Sequence, residues 1–146
     1  MIWSSTTYAL ASLTTALVAG GLAALAWRRR STPGGGTFAL LMAAVAWWAL
    51  MSALEYSVIT VRGKLYFAQL SYIGIVSIGP LWYLFAARYC GYDKGLTRWR
   101  VAALWALPLA ILGAVATNSR HSLIWTQISE VTPGSPNPIL LYGHGP

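Results

Sequence analysis

The chain has 146 residues, 57% of them hydrophobic and only 9% charged, with a formal net charge of +7. A soluble domain typically carries about a quarter charged residues, and a small one has too much surface for a larger core to explain the deficit. An ordinary soluble domain is therefore excluded. So is nucleic acid as a partner, because the few cations sit at the ends of apolar stretches, and one Cys, two His and three acids make no closed metal site.

Four stretches reach the roughly 20 apolar residues that a membrane-spanning helix needs. They predict an all-α polytopic bundle with helices at about 3–27, 38–60, 65–88 and 101–118. The first is free of charge until Arg28-Arg29-Arg30. A signal peptide carries its positive charge before the apolar run, not after it, so this helix reads as an uncleaved anchor. Ser31-Thr32-Pro33-Gly34-Gly35-Gly36 then forms a turn, and no Gly-Lys-Ser/Thr follows to make it a phosphate loop. The second stretch is interrupted only by Glu55, and a link of a few residues makes the second and third helices antiparallel neighbours. The fourth follows Arg98 and Arg100.

Residues 1–118 are thus expected to form a four-helix membrane segment, and 119–146 an irregular outside loop that reads as leading to a missing fifth helix. Pro133, Gly134, Pro136, Pro138 and Gly143 argue against a long helix there. With the N-terminus outside, seven of the ten cations fall in inside loops, and the positive-inside rule favours that orientation.

Small residues let helices approach closely in lipid. Ser12, Ala16, Gly20 and Ala24 form one such ridge, and Ala102, Ala106, Ala110 and Ala114 another. Pro80 and Pro108 each remove a helical hydrogen bond and are candidate hinges, though a fixed bend is the commoner use.

Glu55 is the one acid within a span, and an ionisable group there is a functional candidate. It lies roughly 7 Å from the outer end of its helix at 1.5 Å per residue. A structural pair with Arg62 or Lys64 and a ligand or proton role both remain open. Gln69 and Tyr72 sit near the same level, and with Ser77 they either line a pocket or bond between helices. Trp47 and Trp48, at mid-helix, line a cavity or simply pack, whereas Trp3, Trp27, Trp99 and Trp125 fit the interfacial belt. Glu55, Gln69, Tyr72 and Trp48 make the candidate ligand or signal pocket. No nucleophile–base set, nucleotide loop or cofactor motif accompanies them, so the chain is expected to be no enzyme and to hold no cofactor or metal.

Several short pieces recur together in one known family. They are Arg29-Arg30 with Pro33-Gly34, then Ala53-Leu54-Glu55, then Lys64 through Gln69 with Tyr72 and Gly74. Pro80-Leu81-Trp82, Ala87-Arg88-Tyr89 with Gly91, Leu96-Thr97-Arg98, and Thr117-Asn118 with His121 follow in order. In these the chain resembles the N-terminal seven-helix membrane region of prokaryotic sensor histidine kinases. The resemblance implies a signal-input region in the prokaryotic inner membrane, three further helices, cytoplasmic signalling modules beyond them, and a homodimer. It implies no ligand. A four-helix transporter with Glu55 as its proton or cation site is the alternative, and a passive anchor a third reading.

Overall fold

The computed structural model describes residues 5–122, 124–130 and 140–144. Trp3, the Pro/Gly run between 131 and 139, and residues 145–146 lie outside the described residues. Four long helices follow in order: α1 (Ser5–Arg28), α2 (Gly35–Ser57), α3 (Val61–Tyr89) and α4 (Arg98–Ala116). All four are long and apolar enough to cross a membrane. A single turn, α5 (Asn118–His121), leads into two antiparallel strands, β1 (Trp125–Glu130) and β2 (Leu140–His144).

The helix boundaries are set by local chemistry that hydropathy does not register. Gly34 takes φ 76, a left-handed conformation open to glycine, and α2 begins at once with Gly35. A Cβ on Gly34 would lie 3.3 Å from the Phe85 ring, so this turn presses on the far end of α3. Thr60 and Thr97 act as N-caps, their hydroxyls accepting the amides of Gly63 and Arg100. These caps start α3 and α4 several residues earlier than the apolar runs suggest.

Each helix packs on the next in sequence, but not equally. At Gly74 a Cβ would sit 2.5 Å from the Ala44 carbonyl oxygen and 2.9 Å from the Trp48 nitrogen, so the α2 and α3 backbones touch there. Trp47 Nε1 donates to the Leu70 carbonyl at 2.9 Å across the same seam. On α1, Ala16 and Ala19 are buried, and Gly20 faces Ala46. Ala24 is exposed, so only part of the expected α1 ridge makes contact.

The expected α4 ridge is a correction. Ala102, Ala106 and Ala110 are exposed, while Leu104, Pro108, Ile111 and Val115 form the face turned to α3. Four-residue spacing defines a helix face but not its partner, and the bulkier face won.

The tail differs from the irregular loop expected. β1 and β2 form a hairpin with a bulge between Trp125 and Gln127. The register passes from Trp125 opposite His144 to Gln127 opposite Gly143, and with this extra residue in β1 the Trp125 ring lies against that of Tyr142. Alternation of apolar and polar residues, the usual strand signal, is broken at that point.

Candidate functional site

The hairpin folds back on the bundle where α2 ends and α3 begins. Asn118, buried just after α4, makes the attachment: its Oδ1 accepts the amides of Ile124 and Trp125 at 2.8 and 3.3 Å, and its Nδ2 donates to the Trp125 carbonyl at 3.3 Å. One side chain thus bonds to three main-chain groups at the start of β1. Held in this way, Trp125 is only 6% exposed and packs with Ala68 and Val115, and with Leu65 and Ile111 around them. The belt position expected for Trp125 is therefore corrected: it plugs the space between α3 and α4. Trp27 and Trp99 are exposed, as belt residues are.

From Trp125 a chain of contacts leads to Glu55. The Tyr72 and Trp125 rings meet edge to face at 5.6 Å, and the Trp125 and Tyr142 rings lie 5.3 Å apart. Tyr142 Oη then donates to Glu55 Oε1 at 2.6 Å, a short bond of the charge-assisted kind when the carboxyl is ionised. Burial first, and then the bond to Glu55, push the Tyr142 phenol above its ordinary pKa of 10.0. The phenol therefore acts here as a proton donor and not as an anion.

Lys64, 1% exposed, is the most deeply buried charge among the described residues. Its Nζ donates at 3.2 Å to the main-chain carbonyl of Glu55, not to the carboxylate. That carbonyl belongs to the last turn of α2, where helical partners run out and a cation is favoured. Arg62, the other expected partner, is exposed.

Of the four expected pocket residues, Glu55 and Tyr72 are brought into one connected group, but through Tyr142 and Trp125. Gln69 is half-buried and makes no side-chain hydrogen bond among the described residues. Trp48 stands apart, its backbone against Gly74 and the residue 43% exposed. Ser77 bonds to the Ile73 carbonyl of its own helix at 2.6 Å. Pro80 and Pro108 are both buried within unbroken helices and line the same groove between α3 and α4. His121 Nε2 lies 2.9 Å from Thr117 Oγ1, and no group of three metal-ligating side chains occurs among the described residues.

Sequence reasoning missed Tyr142, Trp125 and Asn118 as site residues. The signal available was Asn118 just past an apolar run, a residue type that commonly bonds to nearby main chain.

No curated protein and no solved structure matches this chain. A family model described as the N-terminal 7TM region of histidine kinase matches residues 11–146, all but the first ten. With four apolar spanning helices and a match across nearly the whole length, the chain belongs to the family of N-terminal seven-helix membrane regions of histidine kinases.

Proposed function

We propose that this chain is the signal-input region of a prokaryotic membrane sensor kinase, with the N-terminus outside and the hairpin on the outer surface. The Tyr142–Glu55 bond carries the reading, because it couples a surface hairpin directly to a spanning helix. A stimulus that moves the hairpin pulls on the end of α2, and through Lys64 on the start of α3. Output modules beyond this segment, working as a homodimer, receive the change; the chain itself performs no catalysis. The position of Glu55, two residues from the end of α2, favours this over a transporter, whose site usually lies near the midplane.

The test is autophosphorylation of the full-length kinase in proteoliposomes. Tyr142→Phe and Glu55→Gln each are expected to shift basal output in the same direction, and together by no more than either alone. Wild-type output from both variants, or additive shifts, would refute the coupling. Proton-driven solute uptake abolished by Glu55→Gln would establish the transporter instead.

A further inference from the structure

At the end of the bundle opposite the hairpin, α3 and α4 separate. Between them lies a groove of about 740 Å³ whose polar lining includes Lys94, Arg100, Tyr83 and Tyr92. Tyr83 and Leu104 also line a second groove, of about 370 Å³, which continues along the two helices past Gly79, Pro80 and Pro108. The two grooves adjoin at Tyr83 and Leu104, the first carrying Lys94 and Arg100 and the second lined by apolar residues and Tyr83.

The walls do not fill the cleft themselves. A Cβ on Gly79 would meet nothing within 4 Å. Arg100 Nη1 donates to the Gly95 carbonyl at 2.9 Å, which fixes the guanidinium at the mouth and uses one of its five N–H donors. The segment 90–100 carries Lys94, Arg98 and Arg100 against the single acid Asp93. A cation-rimmed cleft between spanning helices, opening at the membrane–water boundary, has the charge and shape of an anionic phospholipid.

We propose that this cleft binds one anionic phospholipid, its phosphate at Lys94 and Arg100 and an acyl chain along Gly79, Leu104, Leu107 and Pro108. The proposal needs only that the helices span a membrane, and stands whether or not the hairpin receives a signal. The phosphate satisfies guanidinium and ammonium donors, and the chain covers apolar surface that α3 and α4 leave open.

The test is native mass spectrometry of the detergent-purified, delipidated protein titrated with phosphatidylglycerol, phosphatidylcholine or glycerol phosphate. Phosphatidylglycerol is expected to bind in preference to both. Lys94→Gln and Arg100→Gln should each weaken it about fivefold, following roughly one surface cation's attraction to anionic lipid. Gly79→Leu, which fills open space and favours helix, should remove binding without lowering the thermal midpoint. A photocrosslinking residue at position 79 should capture lipid. Equal binding of the two lipids, retained preference in Lys94→Gln/Arg100→Gln, or capture of a further protein helix at position 79 would overturn the proposal.

Discussion

The two seams flanking α3 are built from similar apolar residues and behave differently. Against α2, Gly74 lets backbones touch and Trp47 adds a hydrogen bond across the seam. Against α4, the helices meet near Ala68 and Val115, with Trp125 of the hairpin wedged beside them, and part further along. Lipid is as apolar as leucine, so hydrophobicity alone cannot hold two spanning helices together; shape and hydrogen bonds decide. The α2–α3 seam is held by its own fit, and the α3–α4 seam by an element outside both helices.

The largest test of this contrast pairs two glycines on one helix. Gly74→Leu drives a side chain into main-chain atoms of α2 that cannot yield, and should cost about 3 kcal/mol or more in detergent unfolding. Gly79→Leu meets no neighbouring atom and should not lower stability. Equal effects at the two positions would erase the distinction.

Next comes Asn118→Ala, which strands the part-buried amide of Ile124 and the buried amide of Trp125 and should cost about 2–3 kcal/mol. Hydrogen exchange should accelerate in the hairpin and the end of α4 while α2 and α3 keep their protection. Uniform acceleration would mean that the hairpin does not hold α4 selectively.

A smaller effect is expected for Tyr142→Phe, about 1.5–2 kcal/mol, with a double-mutant cycle against Glu55→Ala returning most of it as coupling. The pH dependence follows from the raised phenol. The folded state holds this proton more tightly than the unfolded state, so the contribution is complete below about pH 10 and is lost as pH rises through the folded value. Ultraviolet titration should show the tyrosinate absent from the wild-type minus Tyr142→Phe difference at about pH 10. The smallest effect belongs to Ala106→Leu on the exposed face of α4, within about 0.5 kcal/mol.

How legible this was in the sequence depends on which force shaped each part. The spans were readable because a run of apolar residues is a local property, and the place of Glu55 near the end of α2 followed from counting residues along a helix. Helix starts were displaced because Thr60 and Thr97 cap through single hydrogen bonds and Gly34 turns the chain immediately before α2. The hairpin was hidden by its bulge, which removes the alternation that identifies a strand. Trp125 was misplaced for a related reason: a tryptophan near a helix end has the composition of a belt residue, and the bonds to Asn118 and the bulge that turn it inward leave no mark in composition. The α4 ridge failed because small-residue spacing exists on several faces of an alanine-rich helix.

The bond from Lys64 to the Glu55 carbonyl has a mechanical meaning. It bridges a link of only three residues, 58–60, and ties the last turn of one helix to the first turn of the next. Two rods joined by a flexible hinge would absorb a displacement at the joint. With this strut across the joint, a displacement of the last turn of α2 is expected to carry the first turn of α3 with it.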